Sequence, residues 1–185
     1  MARTPSTMTD LGRKAPDFLL ADTVSGNKIS LEDFKGGVAT VIMFICNHCP
    51  FVLHVNEELV KLANDHSSNN ISFVAISAND VITHPDDSPE KMKATALQMH
   101  YPFPYLYDET QDVARAFDAA CTPDFFIYNK DLELVYRGQL DDSRPGNGIP
   151  VTGKDIRHAL ACLLNNEPVP QEQRPSIGCN IKWKQ

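Results

Sequence analysis

The chain reads as a mixed α/β domain with a partly parallel central sheet, and three observations carry that reading. Val38 to Ile45 is an almost unbroken apolar run of strand length, rich in β-branched residues, as a strand covered on both faces requires. Strand-like and helix-like segments then alternate, the order produced when parallel strands are joined by crossover helices. Near the end, Phe125 to Tyr128 and Leu132 to Tyr136 flank Asn129-Lys130-Asp131, a turn triplet that closes an antiparallel hairpin.

The elements follow in order. Phe18 to Leu20 and Lys28 to Leu31 surround Ser25-Gly26-Asn27, which predicts an opening hairpin. The central strand over Val38 to Ile45 runs directly into Cys46-Asn47-His48-Cys49-Pro50. Phe51, Val55, Leu59 and Leu62/Ala63 then recur at helical spacing. Pro50 suits the first turn of that helix, where its missing N–H is not needed. Ile71 to Ser77 is a second buried strand, Pro89 to Met99 a helical insertion, and Pro104 to Tyr107 a short strand. Helices are expected over about Gln111 to Phe117 and, burying Ile156, Leu160 and Leu163, over about Gly153 to Leu164. The ends look peripheral. Residues 1–10 are rich in Thr, Ser and Pro and predict a flexible N-terminus, residues 11–165 form the domain, and the Pro-containing stretch 166–185 predicts an irregular tail.

Composition narrows the function. With 185 residues, 42% of them hydrophobic, the chain builds one substantial core. Its net charge of -7 is spread without long blocks of one sign, so nucleic acid is not an expected partner. No stretch approaches the roughly 20 apolar residues of a membrane helix, and Met1 to Asp10 is polar where a signal peptide is apolar. A cytoplasmic protein is the expectation. Five cysteines, an odd number, argue against a structural disulfide framework and for reduced thiols, each to be explained on its own.

Cys46 and Cys49 are the pair that carries chemistry. At a strand-to-helix junction, a cysteine faces unpaired backbone N–H groups and the positive end of the helix dipole, which stabilises its thiolate. Cys46 is assigned as nucleophile and Cys49, three residues on, as the thiol that attacks a mixed disulfide on Cys46 and releases the product. His48, when protonated, lowers the thiol pKa further, which predicts a redox potential above the roughly -270 mV of thioredoxin. Two other readings of the pair stay open. It is half of a zinc site, although no second CxxC or paired His motif completes one, or it binds copper with a distant His. No metal and no cofactor is expected. His54 reads as a helix-surface residue, and Asp86-Asp87 and Asp141-Asp142 read as solvated loop carboxylates.

At these residues the sequence resembles the thioredoxin-like superfamily, and more closely its peroxiredoxin-like branch, the alkyl hydroperoxide reductase and thiol-specific antioxidant (AhpC/TSA) family. Ala15-Pro16-Asp17-Phe18, Ser30-Leu31-Glu32-Asp33-Phe34-Lys35-Gly36, the CxxC and Thr122-Pro123 ahead of Phe125-Phe126-Ile127 fall in the family's order. The resemblance implies a thioredoxin-like fold with flanking helices. It implies a cis Pro123 facing the CxxC, with Thr122 and Pro123 docking a substrate. Cys121 would then be either an accessory thiol near the site or a small buried loop residue. Cys179, in a tail motif similar to that of uncharacterised peroxiredoxin-like proteins, is either a resolving thiol or a packing residue; Cys162 reads as a surface thiol. The sequence departs from the peroxiredoxin pattern: Ile42 and Cys46 stand where Pro and Thr are usual, with the peroxide-attacking Cys at the position of Cys49, and an Arg is missing near Pro123. It departs from thioredoxin at Thr40, in the place of a buried acid, and at Ile45, in the place of Trp. The implied activity is thiol-disulfide exchange with protein or small-molecule thiols and disulfides. A peroxidase acting on peroxides through Cys49 is the alternative, and a metal-binding module a third.

Overall fold

The computed structural model describes residues 3–185. Seven strands form the central sheet. Strand β2 (Leu19–Asp22) and β3 (Lys28–Ser30) make the opening antiparallel hairpin, with Leu19 opposite Ser30. Strand β4 (Ala39–Phe44) lies in the middle, parallel to β5 (Ile71–Ser77) and antiparallel to β8 (Asp124–Asn129). With β6 (Tyr105–Tyr107) and β9 (Leu134–Gly138), the spatial order is β3-β2-β6-β5-β4-β8-β9. Every residue of β4 is buried, which is why its sequence shows no polar alternation.

Among the described residues the α-helices are α1 (Pro50–Asp65), α2 (Pro89–Gln98), α3 (Asp112–Ala116) and α4 (Lys154–Leu164). Helix α1 buries Val52, Val55, Leu59 and Leu62, a stripe at spacings of three and four; Val52 rather than Phe51 opens the buried face. Asn56 lies in that stripe and is tolerated because the Tyr101 hydroxyl donates to its Oδ1 at 2.7 Å. The two faces of the sheet carry separate cores. Val41, Met43 and Ile45 point to the α1 and α4 side, and Ile42 and Phe44 to the side holding Phe117 and Phe126. This is a thioredoxin-like arrangement, with the N-terminal hairpin and the helical insertion where the sequence puts them. Among the described residues no helix is long and apolar enough to cross a membrane.

The termini differ from expectation. A second, three-stranded sheet joins β1 (Thr4–Pro5), β10 (Ile177–Asn180) and β7 (Cys121–Thr122), all antiparallel, so residues 4–5 and 177–180 are strand rather than irregular. The tail is drawn in by burial of Cys179 and Ile181, 3% and 1% exposed. Cys162 is likewise buried, because Cys162 lies beside Ala159 on a wider apolar face of α4 than the three-residue stripe suggests.

One ion pair is buried completely. Arg137 and Asp124 are both fully enclosed, with Nη2 3.1 Å from Oδ2, and the guanidinium also donates to the Thr7 and Asp118 carbonyls and lies over the Phe126 ring. Burial raises the Asp124 pKa to about 6 even against the attraction of Arg137. Asp124→Ala strands a buried cation that cannot shed its proton, and the expected loss is about 3–5 kcal/mol in urea unfolding. Arg137→Met is expected to cost less, because Asp124 can bind a proton; equal losses from the two variants would contradict this account.

Candidate active site

Strand β4 ends at Phe44, and Ile45 still hydrogen-bonds to the Ile76 carbonyl before the chain turns into the CxxC. Cys46 therefore leaves the sheet at a fixed point. The loop is held on its far side as well. Asp87 accepts from the Asn47 N–H at 2.8 Å and from Asn79 Nδ2 at 2.8 Å, and Tyr105 donates its hydroxyl to Asn47 Oδ1 at 3.2 Å. Cys49 is the N-cap of α1, with Pro50 in the first turn and no acidic residue there to offset the helix dipole.

The helix terminus serves Cys49, not Cys46. The Cys49 pKa is lowered to about 5, chiefly by a hydrogen bond from Cys46, with help from Cys179 and the Val52 N–H, against the opposing effect of burial. Cys46 is pushed well up, by donating to Cys49, by burial and by the negative charge of Asp87. The Thr122 carbonyl, 3.2 Å from Cys49 Sγ, favours the thiol form, but the donors from Cys46, Cys179 and Val52 outweigh it. Cys46 Sγ lies 3.3 Å from the Thr122 hydroxyl.

His48 does not act as a lone cation. Its Nδ1 pairs with Asp87 at 2.7 Å, and its ring stacks on His84 with centroids 5.2 Å apart. Asp87 is fully buried, which corrects its reading as a solvated carboxylate; a two-residue acidic step in a loop carries no sequence sign of burial. Asp141 is also buried, capping a loop by accepting from the N–H groups of Ser143, Thr152 and Gly153. Ligand atoms of Cys46, His48 and Asp87 lie within 4.8 Å of one another, a set suited to a borderline or soft cation, though both Asp87 oxygens already have protein partners. His54 is half-buried, 2.7 Å from the Ser143 hydroxyl.

The Thr122–Pro123 peptide bond is cis, and the loop does face the cysteines. Its backbone edge is already paired: Thr122 lies opposite Cys179 of β10. This brings Cys179 Sγ to 2.7 Å from Cys49 Sγ. Burial and Cys49 raise the Cys179 pKa to about 12. Cys121, by contrast, is turned onto the Pro123 carbonyl, and burial holds its proton firmly.

The fold is thioredoxin-like, with two cysteines around the first turn of α1 and a cis-proline loop against them. Residues 11–137 match the model of the AhpC/TSA family, and the chain belongs to that family. An uncharacterised conserved protein from Geobacillus kaustophilus is 62% identical, with a TM-score of 0.98 over 100% of this chain and 97% of its own. A hypothetical protein from Sinorhizobium meliloti is 46% identical, with a TM-score of 0.96 over 98% of both chains. The thioredoxin domain of a thiol-disulfide oxidoreductase from Bacteroides vulgatus shares the fold at 20% identity, with a TM-score of 0.60 over 70% of this chain and 89% of its own. No curated protein matches the chain.

Two measurements test the electrostatics. Thiolate absorbance titrated against pH is expected to show one buried thiolate with a midpoint near 5, moving up toward the ordinary thiol value of about 8.5 in Cys46→Ala. Because the folded pKa is depressed, its contribution to stability is complete above the unfolded thiol pKa and is lost as pH falls through about 5. In Asp87→Asn, the second thiol is expected to titrate at lower pH than in the wild type, since a negative charge beside Cys46 has been removed; an unchanged second midpoint would remove Asp87 from the site.

Proposed function

We propose that the chain is a thiol-disulfide oxidoreductase whose redox pair is Cys46 and Cys49, taking protein or small-molecule disulfides as substrates. The observation that carries this reading is the placement of two buried cysteines at the N-terminus of α1, with Cys49 as the N-cap residue and its pKa lowered. Cys46 attacks a substrate disulfide as its proton passes along their hydrogen bond to the Cys49 thiolate, and the departing substrate thiolate takes the proton on from there. One substrate thiolate leaves. Cys49, ionised and beside it, then attacks the Cys46 sulfur of the mixed disulfide, the second substrate thiolate leaves, and a Cys46–Cys49 disulfide remains. An external thiol restores the dithiol. Thr122 positions Cys46 through its hydroxyl and, with Pro123, forms the wall at which a substrate meets the pair.

A second reading has one specific observation in its favour. Cys49, at the position of the family's peroxide-attacking cysteine, is the sulfur with the depressed pKa, and peroxide reacts with thiolates. The wall around it lacks the guanidinium of the family pattern, and the Thr122 carbonyl faces the sulfur. A peroxide oxygen would gain little stabilisation there, so disulfide exchange is preferred.

Reduction of a small disulfide under single-turnover conditions is expected to be lost in both Cys46→Ser and Cys49→Ser, while peroxide consumes wild-type thiols no faster than it consumes an ordinary thiol. Rapid formation of a Cys49 sulfenic acid in Cys46→Ser would instead establish the peroxidase reading.

A further inference from the structure

Cys179 is placed with more care than packing requires. Strand β10 is fixed on both sides of it. The Ser176 hydroxyl donates to the Pro123 carbonyl at 2.7 Å, Ser6 and Ser176 exchange hydrogen bonds at 2.8 Å, the Ile181 N–H reaches the Ala120 carbonyl at 3.2 Å, and the Lys182 N–H donates to Asn79 Oδ1 at 2.8 Å. Gly178 allows β10 to approach: a Cβ there would sit 2.0 Å from the Thr122 carbonyl oxygen. Close backbone contact at Gly178 is what lays Cys179 directly on Cys49. Cys46, Cys49 and Cys179 are 2%, 0% and 3% exposed, so they form one enclosed group of sulfurs with Cys49 touched from both sides.

We propose that Cys179 is a third redox thiol of this site and exchanges with the Cys46–Cys49 disulfide, moving it to Cys49–Cys179. The inference rests on the Cys46/Cys49 reading. In the step, the Cys179 sulfur attacks Cys49 Sγ, the Cys49–Cys179 bond forms as the Cys46–Cys49 bond breaks, and Cys46 leaves with the electron pair. The proton released by Cys179 is taken up by Cys46. One disulfide replaces another, so no outside oxidant or reductant takes part. Cys49 is the sulfur attacked because it lies 2.7 Å from Cys179 Sγ, while the departing Cys46 is received by the Thr122 hydroxyl and lies near His48 and Asp87. Direction is also favoured locally. In the dithiol, the ionised Cys49 holds the proton on Cys179; once Cys49 enters a disulfide that charge is gone, and Cys179 ionises more easily. The transfer returns Cys46 to the thiol form and carries the oxidising equivalent to β10, where the next residue, Asn180, is exposed.

The test is to oxidise the purified full chain with hydroxyethyl disulfide, quench in acid, alkylate and map peptides without reduction. The wild type is expected to yield both the Cys46–Cys49 loop and a Cys49–Cys179 cross-linked peptide in which Cys46 is alkylated. Gly178→Ala, which keeps every thiol but forces β10 from the Thr122 carbonyl, is expected to lose the cross-link and retain the loop, as is Cys179→Ser. A wild type that forms only the Cys46–Cys49 loop, with Cys179 fully alkylated, overturns the inference and leaves the Cys46/Cys49 reading standing. Absence of any disulfide at Cys46 or Cys49 overturns both. Formation of the Cys49–Cys179 link at an undiminished rate in Cys46→Ser overturns the transfer step.

Discussion

Strand β4 has no free edge and no free face, and the candidate site hangs from its C-terminal end. Hydrogen bonds to β5 and β8 fix its register over Ala39 to Phe44, and side chains of both cores lock its two faces. A one-residue slip would exchange those faces and move Cys46 off the sheet edge, so the buried apolar pattern sets the position of the first sulfur. Helix α1 then sets the second. Its stripe of Val52, Val55, Leu59 and Leu62 against the sheet decides how the helix is turned, and hence where its first N–H groups point.

The chemistry of the site follows from how few charges reach it. Three thiols, a hydroxyl, a carbonyl and the end of a helix are enclosed together, and the carboxylate held against the CxxC loop, Asp87, comes from the insertion between β5 and β6. In low-dielectric surroundings the helix terminus and neighbouring S–H groups suffice to hold one negative charge on Cys49, while Asp87 opposes a second charge on Cys46. The insertion therefore contributes to the site electrostatically and clamps the loop through Asn47.

The small second sheet couples the chain ends to this centre. Strand β7 is two residues long and would be marginal by itself, and β1 is no longer. Pairing with β10 gives all three their partners and closes the Thr122 edge, so that the tail is a wall of the sulfur cluster. The N-terminus takes part through Ser6, and the tail is bound again beyond β10 through Asn79 and Gln111.

What the sequence determined by itself is everything that rests on local pattern. The run from Val38 to Ile45, the turns at Ser25-Gly26-Asn27 and Asn129-Lys130-Asp131, and the Cys-x-x-Cys-Pro step into a helical stripe define strands, hairpins and the cysteine pair without any long-range knowledge. The tertiary structure alone decided which sulfur lies at the helix terminus, because the loop geometry of two residues, Asn47 and His48, separates Cys46 from Cys49. It alone joined Asp87 to His48 across 39 residues and Cys179 to Cys49 across 130, since an acidic step in a loop and a four-residue strand among prolines carry no periodicity to read. Such contacts arise from the folding of distant segments onto one sheet end, and their physical cause is the burial of Cys179, Ile181 and Asp87 together, not the propensity of the residues around them.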